Sequence, residues 1–153
     1  MRITRRLSYQ LKQESMSIEY RINAPISADQ FIDLLIRSTL GERRPIHDRE
    51  CMEGMVANSN LIVSAWESGK LVGIARSMTD FHYACYLSDL AVCQTHQGNG
   101  IGKNLQIITQ NQLGPQCKLI LIAAPAANTY YEHLGFTNNP RCWVLDRNAH
   151  IHI

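Results

Sequence analysis

One continuous segment limits this chain more than any other: Leu90-Ala91-Val92-Cys93-Gln94-Thr95-His96-Gln97-Gly98-Asn99-Gly100-Ile101-Gly102-Lys103. An apolar stretch of strand character ends at Val92 and a polar loop follows. Glycines then lead into a stretch where Ile101, Leu105 and Ile108 recur at helical spacing. Glycine carries no Cβ and accepts positive φ, so successive backbone N–H groups can turn into one concavity. A helix N-terminus adds about half a positive charge there. Such a turn suits a pyrophosphate; a glycine turn that binds nothing is the other reading of the same residues. Two familiar nucleotide loops fail on particular positions. A dinucleotide fingerprint needs G-x-G-x-x-G and an acid at the end of the next strand, and Leu119 to Ala124 offers none. A Walker loop needs a glycine five positions before Gly102, where Gln97 stands, and Ser or Thr after Lys103, where Asn104 stands.

The flanking sequence supplies alternating strands and helices. Ile18 to Ile22 alternates as a half-buried strand does. Ser27 with Gln30 three residues on is a capping box. It opens a helix in which Phe31, Leu34 and Leu35 share a face with Ile32, Ile36 and Leu40, and which Gly41 closes. A second helix is expected over Asp48 to Ala57. Leu61–Trp66 and Leu71–Ala75 read as a hairpin turned by Ser68-Gly69-Lys70. Tyr83–Val92 is a long third strand. The glycine-led helix stops near Gly114-Pro115. Leu119–Ile122 reads as a strand covered on both faces. Pro125 opens and Gly135 closes a last helix, and Phe136 onward returns as strand to Val144-Leu145. The class is α/β or α+β, in three layers.

A chain of 153 residues suffices for one core. Residues 1–15 are basic and polar without an apolar run, which excludes a secretory signal. They read as a loose N-terminal extension before a single domain over 16–153, and Met16 is a second candidate start. Five scattered cysteines without a C-x-x-C pair exclude a disulfide framework and a zinc knuckle. Cys93 and His96 alone do not make a metal site, and Cys85 and Cys142 are assigned to core packing. A formal charge of +2, with basic residues not clustered among aromatics, argues against nucleic acid. No apolar run reaches the ~20 residues of a membrane helix. The expected setting is therefore cytoplasmic, with no metal, no nucleic acid and no membrane, and with a homodimer left open.

Gln97-Gly98-Asn99-Gly100-Ile101-Gly102, after a strand ending Leu90-Ala91-Val92, resembles the Q/R-x-x-G-x-G/A block of the GNAT superfamily of acetyl-CoA-dependent N-acetyltransferases. A second block is similar too: Ala127, then Tyr130-Tyr131-Glu132-His133-Leu134-Gly135-Phe136, against A-x-x-x-Y-x-x-x-G-F. The resemblance spans roughly residues 18 to 145. It implies a central mixed, mostly antiparallel sheet flanked by helices, with acetyl-CoA as cosubstrate. It places Leu90, Ala91 and Val92 along the pantetheine arm and the amides from Gln97 to Lys103 (Gln97, Gly98, Asn99, Gly100, Ile101, Gly102, Lys103) on the pyrophosphate. Tyr131 falls near the thioester sulfur as candidate acid, with core packing as its other reading. Tyr130 points elsewhere on the helix and is assigned to packing.

Two departures matter. Ala124 stands where many members carry an Asn seven positions before the tyrosine; Asn128, one helical turn away, is the substitute. Tyr86-Leu87-Ser88-Asp89-Leu90 is similar to a segment of polyamine-type members, but Ser88 replaces their Glu. Asp89, a carboxylate in an apolar strand, must meet a donor, a cation or the substrate amine. It is carried as catalytic, with a structural hydrogen bond as the alternative. Arg43, Arg44, His82, Tyr86 and Ser88 complete the acceptor set, the two arginines as receivers of an acceptor carboxylate or phosphate. The expected reaction is transfer of acetyl to a primary amine, of a small molecule first and of a protein N-terminus or lysine second. A CoA-binding module without turnover is the non-enzymatic alternative.

Overall fold

The structure, a computed structural model, describes residues 17–153; the expected N-terminal extension lies outside them. The chain divides into two compact units, one up to Ile122 and one from Ala123 to Ile153.

The first unit holds strands β1 (Glu19–Ile22), β2 (Leu61–Glu67), β3 (Lys70–Thr79), β4 (Ala84–Val92) and β5 (Lys118–Leu121). Its helices are α1 (Ala28–Arg37), α2 (Arg49–Ala57) and α3 (Ile101–Asn111). The sheet order is β1-β2-β3-β4-β5, antiparallel except that β5 runs parallel to β4. Short-range chemistry explains several boundaries. Ser27 Oγ accepts from the Gln30 N–H at 3.1 Å while Gln30 Oε1 accepts from the Ser27 N–H at 3.0 Å, so the capping box is complete. Ser68 (φ +48°) and Gly69 (φ +78°) form a two-residue turn with both φ positive, the geometry that matches strand twist in a hairpin. Asp80 Oδ1 accepts from the N–H groups of His82, Tyr83 and Ala84. That turn delays the start of β4 to Ala84.

The central strand β3 is sandwiched. A Cβ on Gly73 would lie 3.1 Å from Ile101 Cγ2 and 3.1 Å from Leu105 Cδ1, so α3 covers that face. The Arg76 guanidinium stands 5.9 Å above the Phe31 ring, so α1 covers the other, as side-chain alternation requires. Phe31, Leu34 and Leu35 of α1 are fully buried, as are Val63, Ile74 and Leu105. Each such side chain contributes about 1.5–3 kcal/mol through burial. Three layers and a mixed, mostly antiparallel sheet are what the sequence led us to expect.

Some expectations fail. Helix α1 ends at Arg37, with Thr39 in a left-handed conformation (φ +70°). Gly41 instead sits in a 3-10 turn, where a Cβ would press within 3.2 Å of the Leu35 carbonyl oxygen. Ile36 is exposed. Strand β3 does not stop at Ala75 but runs through Arg76 to Thr79, because the arginine finds a buried partner. β5 is an edge strand that is half-exposed rather than covered on both faces.

The second unit contains a turn at Pro125–Ala127 and helix α4 (Asn128–His133), closed by Gly135 at φ +92°. The strand expected from Phe136 to Leu145 does not form. Asn139 is the cause: its side chain accepts from the Arg141 N–H at 3.0 Å and its carbonyl from the Cys142 N–H at 3.3 Å. The Asn-Asn-Pro run thus makes a turn instead. Cys142 is exposed, not core, and Tyr130 is 39% exposed, so it does not pack in a core either.

Candidate active site

Strand β4 changes character at Ser88. Leu87 pairs with Ser77 and Asp89 with Arg76, so Ser88 is an extra residue and the strand carries a bulge. Before the bulge, β4 is paired on both sides: Cys85 to Leu87 against β3 and, in parallel, Ala84 to Leu87 against Lys118 to Leu121. After it, Asp89 to Val92 pairs with β3 alone, because the β5 register ends at Leu87–Leu121.

The alternation of an antiparallel pair then decides which groups face the unpaired edge. The Cys93 N–H donates to the Val72 carbonyl at 2.9 Å. Cys93 and Ala91 therefore spend their backbone groups on β3, while those of Leu90 and Val92 point outward. Ala91, expected among the backbone groups for a ligand, is thereby committed to the sheet. The Val92 carbonyl meets the Gln97 side-chain amide at 3.0 Å, which ties the loop to the strand end.

That edge runs into the glycine loop. Gly98 has φ +83° and Gly100, the N-cap of α3, φ +78°. A Cβ at either would enter open space, so the demand for glycine here is conformational rather than steric. No side chain caps α3. The first helical bond, Asn104 N–H to the Gly100 carbonyl at 3.0 Å, leaves the amides of Ile101, Gly102 and Lys103 without intrahelical acceptors. Gln97, Asn99 and Lys103 are exposed beside them.

Asp89 has a different role from the one expected. Its side chain is fully buried, with Arg44 Nε 2.5 Å from Oδ1 and Arg76 Nε 2.5 Å from Oδ2. Both oxygens are occupied, so the carboxylate does not reach a substrate amine. Arg44 also donates through Nη1 to the Arg43 carbonyl (2.9 Å) and through Nη2 to the Ser88 carbonyl (3.0 Å). It is bound into the protein rather than held out for an acceptor anion. Arg76 Nη2 donates to Ser88 Oγ at 2.9 Å and Nη1 to Ser59 Oγ at 2.9 Å. Two arginines and one carboxylate thus fasten the bulge to β3 and to the loop after α1. Arg76 was the residue sequence reasoning missed. Its signal was a charge interrupting an apolar strand, the same signal that drew attention to Asp89.

The other acceptor candidates are dispersed. Arg43 is exposed. Tyr86 is 38% exposed on β4. His82 is exposed in the turn before β4, seven residues from Asp89, or about 23 Å along an extended strand. The structure does not bring His82 to the bulge. In the second unit, Asn128 is exposed at the start of α4. Tyr131 is partly buried, with its ring edge-on to Phe136 at 5.5 Å. Burial, with a smaller effect from Tyr130, holds its phenol above the usual range, so it stays protonated at neutral pH.

A strand edge with outward N–H and C=O groups, ending in a cradle of free amides, suits a long amide-bearing chain that terminates in a diphosphate. A family model described as "Acetyltransferase (GNAT) domain" matches residues 38–142. The chain belongs to this acetyltransferase family and is an acetyl-CoA-dependent acyltransferase. It is 27% identical over 127 residues to an uncharacterized N-acetyltransferase, ycf52, of Gracilaria tenuistipitata var. liui, covering 78% of this chain and 70% of that one. Among solved structures it shares the fold of an acetyltransferase from Deinococcus radiodurans (TM-score 0.69, 19% identity, 86% and 90% of the two chains). It also shares that of an aminoglycoside N-acetyltransferase in complex with CoA (TM-score 0.63, 16% identity, 87% and 96%).

Proposed function

We propose that the chain acetylates a primary amine of a small molecule by direct attack in a ternary complex. The observation that carries this reading is the unpaired β4 edge from Leu90 to Val92, continuous with the uncapped amides at the start of α3. Acetyl-CoA supplies the activated acyl group. Residues of this chain do the rest. The amides around Gly98, Gly100, Gly102 and Lys103 hold the diphosphate through helix-end charge and N–H donors. The outward groups of Leu90 and Val92 bind the pantetheine amides like an added strand. The Leu90 N–H, two residues past the bulge, is the donor for charge developing on the carbonyl oxygen; such a donor is commonly worth about 3–4 kcal/mol. By family resemblance alone, Tyr131 is the candidate acid toward the departing sulfur. Since Asp89 is internally paired, no carboxylate of β4 serves as base, and solvent takes the amine's proton.

The test is an acceptor screen that reads free thiol from acetyl-CoA over a panel of small amines and amine-terminated peptides. The reading expects turnover with small amines and a rise in Tm on adding acetyl-CoA by mass action. Turnover with peptides alone moves the acceptor to protein, and stabilisation without turnover makes the chain a CoA-binding module. Tyr131→Phe lowers kcat by about tenfold to a hundredfold while acetyl-CoA affinity stays within about twofold; equal kcat removes Tyr131 from the chemistry.

A further inference from the structure

We propose that Cys93 is a peroxide-reactive thiol, oxidised to a sulfenic acid inside a cavity beside the β2–β3 hairpin. None of the groups that act on it is used in acetyl transfer, and the inference does not depend on that reading.

The cavity, of about 590 Å³, is lined by Arg37, Glu67, Lys70, Cys93, Thr95 and His96 among others. These side chains arrive from four places: the end of α1, the two strands of the hairpin, and the turn after β4. They form a connected relay. Glu67 Oε2 lies 2.5 Å from His96 Nε2, His96 Nδ1 lies 3.0 Å from Thr95 Oγ1, and Thr95 Oγ1 lies 3.3 Å from Cys93 Sγ.

The hydroxyl of Thr95 has a single proton. If that proton points at sulfur, Thr95 Oγ1 must accept from Nδ1–H. With Nε2–H given to Glu67, His96 is then an imidazolium. Glu67 favours that state, holding His96 above its ordinary range despite partial burial. The thiol responds in kind. Burial alone would raise it, but the Thr95 hydroxyl and backbone N–H, together with the neighbouring His96 and Arg37 cations, bring it down to about 6. Lys70 adds a further cation at the rim.

The step balances. The Cys93 thiolate attacks one oxygen of hydrogen peroxide; the S–O bond forms and the O–O bond breaks. Sulfur is oxidised by two electrons and the peroxide is reduced. The departing hydroxide takes the proton of His96 and leaves as water. Cys93 remains as S–OH, and His96 regains its proton from solvent.

Magnitudes show which groups matter. At pH 7 a thiol titrating near 6 is about 90% thiolate against roughly 3% for an ordinary one, a gain of ~30-fold. Its lower basicity gives back about tenfold in nucleophilicity. A net factor of ~3 is modest, so any large preference must come from Thr95 and Arg37 polarising the bound peroxide. The exposed cysteines, Cys51 and Cys142, are the internal comparison.

The experiment treats the full native chain with hydrogen peroxide in the presence of dimedone and maps adducts on each cysteine by peptide mass. Cys93 is expected to label at least about tenfold faster than Cys51 or Cys142 at pH 7. Its rate should hold nearly level from pH 8 to 7 and fall below about 6. Thr95→Val should slow Cys93 by about tenfold and leave Cys51 unchanged. Labelling of Cys51 and Cys142 first, with Cys93 reached only in denaturant, overturns the proposal. So does a Cys93 rate whose pH dependence matches that of the exposed thiols. The pH profile uses the unaltered chain, so it decides the matter even where Thr95→Val fails to fold.

Discussion

The two halves of β4 are one strand with two kinds of support. From Cys85 to Leu87 the backbone is paired to β3 on one side and β5 on the other. From Asp89 to Val92 one edge is unpaired, and side chains supply the missing constraint: Asp89 grips Arg44 and Arg76, and both arginines hold Ser88. A strand can offer an open edge to a ligand only if something other than its ladder keeps that edge in place. Here the fastening is electrostatic and lies on the α1 side of the sheet.

Hydrogen exchange tests the comparison most directly and carries the largest expected effect. The Ala91 amide, bonded to β3, should exchange only on global opening, whereas those of Leu90 and Val92 should exchange orders of magnitude faster by local solvation. Acetyl-CoA should then protect Leu90 and Val92 selectively. Equal protection of all three amides without ligand would remove the open edge.

Removing the clamp comes next. Asp89→Ala leaves Arg76, only 4% exposed, with an uncompensated buried charge, and should cost about 3–5 kcal/mol in denaturant unfolding. Tyr86→Ala, on the doubly paired half, should cost far less. Comparable losses would mean that the clamp adds nothing particular to the bulge.

Gly73→Ala is a smaller intervention aimed at the cradle. Its methyl would press on Ile101, Leu105 and Ala65 at 3.1 to 3.3 Å, an overpacking that costs about 1–3 kcal/mol. Because Ile101 begins α3, the helix end should shift and acetyl-CoA affinity should fall with stability. Unchanged affinity in isothermal calorimetry would show that the cradle tolerates displacement of its helix.

The smallest effect concerns Asp80, at the doubly paired end. Its three amide donors hold its carboxyl down at about 2, against about 3.8 ordinarily. A depressed folded-state value stabilises the protein above the unfolded value, and that contribution is lost as pH falls from about 4 towards 2. Asp80→Asn should flatten this acid limb of a Tm-versus-pH curve by lowering Tm modestly at neutral pH while leaving the most acid values little changed. An identical limb in the variant would place the titration elsewhere. Asp80 is fully exposed, so solvent screening keeps the effect modest.

The sequence by itself determined what depends on neighbours a few residues apart: the capping box at Ser27 and Gln30, the Ser68-Gly69 turn, the helical spacing of Ile101, Leu105 and Ile108, and the glycines that free the amides before α3. It also showed that Asp89 needed a partner. Only the tertiary structure decided which, because Arg76 and Arg44 lie 13 and 45 residues away in sequence and meet Asp89 solely through strand register and the return of the chain after α1. The end of the β5 ladder at Leu87, the bulge at Ser88 and the relay from Glu67 to Cys93 belong to the same class. Local propensity is written in adjacent residues, whereas the pairing of distant polar groups is fixed only when packing brings them out of water together.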